Sequence, residues 1–154
     1  MNQFFETKIK YEKTQEDGTQ KRVSESYLVD ALSFTECESR ITEEMKHFLS
    51  GDFEVSSISK TKYAELVESD ESDADKWYKC KLQFITLDEK TEKEKRTKIC
   101  YLVQGSSLDN AKNNVVKFMK DSMIDYELVE IKETTIMDVF KYNKYTENGC
   151  IQKM

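Results

Sequence analysis

The side chains with the most reactive chemistry are four cysteines, Cys37, Cys80, Cys100 and Cys150, and a single histidine, His47. A structural zinc ion needs thiolates or imidazoles supplied in closely spaced pairs. No two of these cysteines lie within three residues of each other, so no metal site is expected and the thiols read as small, reduced, apolar residues. His47, in Lys46-His47-Phe48-Leu49, reads as a surface or helix-end residue. The stretch 68–75, Glu-Ser-Asp-Glu-Ser-Asp-Ala-Asp, places five carboxylates in eight residues. Such oxygens suit calcium, but the spacing, the central glycine and the closing glutamate of an EF-hand loop are missing, and a solvated linker is expected instead. A Walker loop, a GxGxxG turn, an HExxH helix and a nucleophile elbow are likewise missing. The chain is therefore read as a non-enzyme without a cofactor.

Cations are the remaining chemistry. Lys21-Arg22 and Lys95-Arg96 occupy matching places in the chain, with Lys93 and Lys98 close to the second pair. Arginine grips phosphate in two-pronged fashion, so these four residues are the candidate ligand-binding set. The partner they suit is a small anionic ligand. Single-stranded nucleic acid is disfavoured, because phosphate contacts dominate such affinity and the chain carries 24 basic against 30 acidic residues, a net charge of -6. Glu92 and Glu94 dilute the second cluster further.

The elements that must position these residues come from an internal repeat. Phe4–Tyr11 matches Trp77–Phe84 at an offset of 73, and Lys21-Arg22 with Tyr27-Leu28-Val29 matches Lys95-Arg96 with Tyr101-Leu102-Val103 at an offset of 74. Ser33, Phe34, Cys37, Ile41 and Met45 match Ser107, Leu108, Ala111, Val115 and Met119. Phe53-Glu54-Val55 then matches Tyr126-Glu127-Leu128 with the offset back at 73. The two changes of offset fall in loops, where insertions are tolerated.

Within each copy the periodicity changes twice. Phe5, Thr7, Ile9 and Tyr11 alternate, as do Tyr78, Cys80, Leu82 and Phe84, so each copy opens on a half-buried strand. Asp17-Gly18 marks a hairpin turn, and Asp88-Glu89-Lys90 takes its place in the second copy. A second strand follows, through Val23, Tyr27 and Val29 in one copy and Thr97, Ile99, Tyr101 and Val103 in the other. Leu28 and Leu102 point to the far face, which is therefore not fully solvated. Phe34, Cys37, Ile41, Met45 and Phe48 then recur at helical spacing. Ser33 with Glu36 forms a capping box, and Ser107 is the matching N-cap. Third strands are expected over 53–61 and 126–134.

The reading is α+β, a tandem duplication of a ββαβ unit. A hairpin sets strand one against strand two, and a helical crossover makes strands two and three parallel. Each copy is thus a three-stranded sheet of order 2-1-3 with one covering helix. A copy of this size buries only a thin core, so the copies are expected to pack about a pseudo-twofold, with one continuous sheet as the alternative. The expected layout is 1–67 for the first repeat, 68–75 for the acidic linker, 76–140 for the second repeat and 141–154 for a polar tail with Tyr142 and Tyr145.

Composition fits a folded protein. Of its 154 residues, 38% are hydrophobic and 11% aromatic, whereas disordered chains are poor in aromatics. No apolar run approaches the ~18 residues of a membrane span, and the first residues lack the charged head and apolar middle of a signal peptide. A cytoplasmic protein with no membrane association is expected, and a homo-oligomer is compatible with the sequence.

Three segments, FFETKIKYEKTQEDGTQKRVSESYLVDALSFTECESRITEEM, KWYKCKLQFITLDEKTEKEKRTKICYLVQ and TTIMDVF, carry a resemblance that spans Phe4 to Phe140. The chain resembles an uncharacterised domain-of-unknown-function family found in gut Bacteroidota and in their crAss-like tailed phages. The resemblance implies a cytoplasmic protein, in the host cytoplasm where a phage encodes it. It supplies no catalytic residues, and the cysteines depart from the family pattern. The function expected is therefore binding or assembly, by sequestering a host protein or a small nucleotide. The alternative is an accessory single-strand-binding protein in DNA replication or recombination.

Overall fold

The computed structural model describes residues 3–141. From residue 142 onward the expected tail, with Tyr142, Tyr145 and Cys150, lies outside the described residues. The chain is a mixed α+β protein, with two helices and two four-stranded sheets among the described residues. It divides into two units: residues up to Thr61 together with those from Ile136 on, and Lys62–Thr135.

In the first unit, β1 (Phe4–Thr14) and β2 (Gln20–Asp30) form an antiparallel hairpin. Its turn is closed by Asp17, whose side chain accepts from the Thr19 amide at 3.0 Å and from the Thr19 hydroxyl at 2.6 Å. Gly18 takes φ 88°, a left-handed conformation that favours glycine. The alternating apolar residues of β1 lie on one face, and α1 (Phe34–Phe48) covers that face. Helix α1 starts where the sequence places it: Ser33 Oγ accepts from the Glu36 amide at 3.1 Å, while a Glu36 carboxylate oxygen accepts from the Leu32 amide at 2.6 Å. Cys37, Ile41 and Met45 are buried against Phe5, Ile9 and Val29. Strand β3 (Phe53–Lys60) then pairs antiparallel with β1, with a bulge between Lys8 and Ile9.

The second unit repeats these features. Strands β5 (Lys76–Leu87) and β6 (Glu94–Gly105) form the hairpin, α2 (Leu108–Met119) covers it, and β7 (Asp125–Glu133) pairs with β5. Ser107 Oγ accepts from the Asn110 amide at 3.1 Å. The β5–β7 bulge lies between Lys81 and Leu82, the counterpart of the β1–β3 bulge at the offset of 73. The core gathers Tyr78, Cys80, Leu82, Val103, Ala111, Val115 and Met119.

The expected order 2-1-3 holds for these three strands in both units, but neither sheet has only three. A short strand β8 (Ile136–Phe140) pairs parallel with β2, giving β3-β1-β2-β8. Strand β4 (Tyr63–Val67) pairs parallel with β6, giving β4-β6-β5-β7. Each fourth strand comes from the other half of the sequence. The boundaries 1–67 and 76–140 therefore divide the sequence but not the folded units: 63–67 belong with the second hairpin and 136–140 with the first. Burial explains the capture: Ser26, Leu28 and Val29 on β2 and Tyr101, Leu102 and Val103 on β6 are buried, where backbone amides and carbonyls need partners.

The acidic stretch between β4 and β5 is tethered rather than free. Gln104 Oε1 accepts from the Ser69 amide at 3.0 Å, and Gln104 Nε2 donates to the Ala74 carbonyl at 2.9 Å; Ala74 is buried. Leu28 and Leu102, on the faces away from the helices, are both fully buried. Among the described residues, no helix is long and apolar enough to cross a membrane.

Candidate ligand-binding site

Each hairpin is longer than the sheet that supports it. Strand β3 pairs with β1 only from Phe5 to Tyr11, and β8 reaches β2 only from Ser26 to Val29, so residues 12–22 continue as a two-stranded ribbon. The second hairpin likewise extends beyond β7 partners that end at Ile85 and β4 partners that begin at Cys100. The four candidate cations lie on or beside these ribbons.

Successive residues of a strand point to opposite faces, so neither basic pair acts as a unit. Arg22 stands on the face away from α1, opposite Glu12, with its guanidinium 3.6 Å from the Glu54 carboxylate. Arg96 has the equivalent partner in Glu127 and a second in Glu94, at 3.1 Å; these bonds, with Glu127 first, raise the Arg96 pKa above its usual value. Both arginines already hold carboxylates. Lys21 points the other way. It lies opposite Lys13, on the same face as Val23 and Tyr11. Lys95 lies opposite Thr86 and has no such cationic neighbour across the ladder.

Lys13 and Lys21, with Thr14, Gln15, Glu16 and Val23, line a cavity of about 400 Å³. Like charges directly opposite on an antiparallel pair are destabilising, and one carboxylate, Glu16, stands with the two ammonium groups. The cavity keeps a net positive charge on an acidic molecule.

Along the same face, toward the core, is a feature that was not singled out in the sequence. Glu25 lies opposite the fully buried Ile9 and binds two phenols: Tyr11 donates to Oε2 at 3.1 Å and Tyr27 to Oε1 at 2.9 Å. Burial, and then the Glu25 carboxylate, push both tyrosines above the usual phenol range, Tyr27 far more than Tyr11. The equivalent positions in the second unit are Phe84, Ile99 and Tyr101, which leave no carboxylate there. The readable signal was that mismatch: a glutamate at the offset where the other copy has isoleucine. Cys37 and Cys80 are buried, and burial pushes both thiols up to about 11, so neither serves as a nucleophile at neutral pH.

Neither a curated protein nor a solved structure was found to match the chain. A family model does match, over residues 3–142, and that span includes both hairpins, both helices and all eight strands. The chain belongs to the DUF4494 family, a domain of unknown function.

Proposed function

We propose that the protein is a non-enzymatic binding protein built by duplication of one ββα unit with an exchanged edge strand, and that its ligand is a small phosphate-bearing anion held on the first hairpin. The observation that carries this reading is the direct opposition of Lys13 and Lys21 over the cavity beside Val23. An anion between the two ammonium groups relieves their repulsion, and Val23 and Tyr11 offer an apolar surface to the rest of a nucleotide. Two charge-assisted contacts contribute about 1.5–3 kcal/mol each, which corresponds to a dissociation constant on the order of millimolar or somewhat below. In a phage or mobile-element setting in a bacterial cytoplasm, such a site suits sequestration of a signalling nucleotide.

Calorimetric titration with pyrophosphate and with an adenine nucleotide at low salt tests the reading. Binding that weakens several-fold in Lys13→Ala and in Lys21→Ala, and stays unchanged in Lys95→Ala, is expected. Absence of heat with either ligand, or equal loss in Lys95→Ala, overturns it.

A second reading rests on a different face. Lys79, Lys81, Arg96, Lys98 and Lys132 all lie on the side of the second sheet away from α2, as a sheet-based single-strand binder requires. Glu127 and Glu130 pair with two of them, which weakens this reading. A labelled oligonucleotide shift at about 50 mM salt that disappears with added salt favours it; no shift removes it.

A further inference from the structure

Helices α1 and α2 occupy equivalent places and bury equivalent residues: Cys37, Ile41 and Met45 in one, Ala111, Val115 and Met119 in the other. Their outer faces differ in a consistent direction. At the offset of 74, Glu38 is replaced by Lys112 and Glu43 by Lys117, while Thr42 becomes Val116 and Glu44 becomes Phe118. Helix α1 thus carries four acids against two bases, and α2 carries one acid against two bases. Val116 is 43% exposed, whereas Phe118, two residues on and therefore on the other flank of the helix, packs edge-on against Tyr101 with ring centroids 5.7 Å apart. Val116 and Lys117, with Lys120 and Ile124, line a cavity of about 580 Å³. Glu43 and Glu44, with Phe140, line one of about 240 Å³ beside α1, where Arg40 and Lys141 also stand. Folding stability explains the shared buried set. It does not explain reversed charge at two matched solvent-facing positions beside the exposed Val116.

We infer that the outer face of α2 in one molecule docks on the outer face of α1 in a second copy of this chain. The argument is charge complementarity: lysines 112 and 117 meet glutamates 38 and 43, with Val116 beside the lysines as the apolar contact. The contact joins two different surfaces, so each added copy leaves one of each kind unpaired, and assembly continues head to tail until a ring closes or a filament grows. One helix face against another buries less than the area of a standard stable interface, so the association is weak. It is also salt-sensitive, because the charges lie at the surface. It involves neither Lys13 nor Lys21 and stands apart from the ligand site proposed above.

Sedimentation velocity of the full chain, from about 10 to about 500 µM, where weak contacts form and dissociate, tests the inference. At low salt the weight-average mass is expected to rise with concentration and to fall back toward the monomer at about 0.5 M salt. The pair Glu38→Lys with Glu43→Lys and the pair Lys112→Glu with Lys117→Glu should each abolish the rise. An equimolar mixture of the two variants should restore it, because each supplies the charge the other now lacks. A monomer at every concentration, a rise unaffected by either reversal, or a mixture that fails to re-associate would each overturn the inference.

Discussion

Glu25 shows how one side chain can separate two otherwise equivalent units. Glu25 is half-buried opposite the fully buried Ile9, where a carboxylate gains from hydrogen-bond partners. Tyr11 and Tyr27 are those partners. Both phenols are held in the neutral form, and their raised values set the sign of the pH dependence. The stability they contribute is complete below the free-phenol value of about 10 and is lost as pH rises from there toward the folded values. Denaturation midpoints measured from about pH 9 to 11 should therefore fall, and Tyr27→Phe should reduce the fall. In Glu25→Gln the Tyr27 phenol should ionise at lower pH than in the parent, yet above a free tyrosine, because burial is the larger cause; ring-carbon NMR titration reads this directly. At the same scale, Cys37 and Cys80 should resist thiol reagents in the native protein at about pH 8 and react on unfolding. Mass mapping that finds either of them labelled as fast as Cys100, which is only partly buried, would contradict their placement.

Among the elements, the helices were the most legible. The spacing of Phe34, Cys37, Ile41 and Met45 and the serines at both N-caps located them, and Ile41, Met45, Val115 and Met119 are buried as that register requires. Ile41→Ala should cost about 2–5 kcal/mol in chemical denaturation, and a cost under about 0.5 kcal/mol would place Ile41 outside the core. The approach of β6 to α2 is tighter than that of β2 to α1. A Cβ on Gly105 would lie 2.9 Å from the Ala111 backbone nitrogen, whereas the matching position in the first unit is the buried Ala31. Gly105→Ala should destabilise by about 1–3 kcal/mol, as overpacking does; Ala31→Gly tests the reverse, and its loss should come from backbone entropy rather than a clash. The strands β4 and β8 were not legible. Tyr-Ala-Glu-Leu-Val and Ile-Met-Asp-Val-Phe are five residues each, with no clean alternation, and a bulge interrupts their pairing at Ala64 and Met137. Their likeness is present in the sequence, however, in the acid at the third position and the apolar pair that follows, at the same offset of 73 as the preceding strand. The basic pairs are legible in the sequence, but adjacent residues on a strand face opposite ways, and Lys13, the cross-strand neighbour of Lys21, lies on the partner strand, where local sequence does not reveal it.

For the whole molecule, the central claim is that each sheet is completed by a strand from the other half of the sequence. Local pattern could not show this, because a short parallel strand carries no information about which edge it will join. A change in β8 should therefore be felt at β2, more than 100 residues away in sequence, and a change in β4 should be felt at β6. Phe140 stacks on Tyr27 with ring centroids 5.5 Å apart and lies 6.3 Å from Phe48, and the matching position in the second unit is Val67, partnered with Val103. Hydrogen exchange followed by mass spectrometry on Phe140→Ala and Val67→Ala tests the claim most directly. Faster exchange is expected in β2 around Tyr27–Val29 for Phe140→Ala and in β6 around Tyr101–Val103 for Val67→Ala, with the other sheet unchanged in each case. Loosening of β5 and β7 by Phe140→Ala, or of β1 and β3 by Val67→Ala, while β2 and β6 keep their protection, would contradict the exchange of strands.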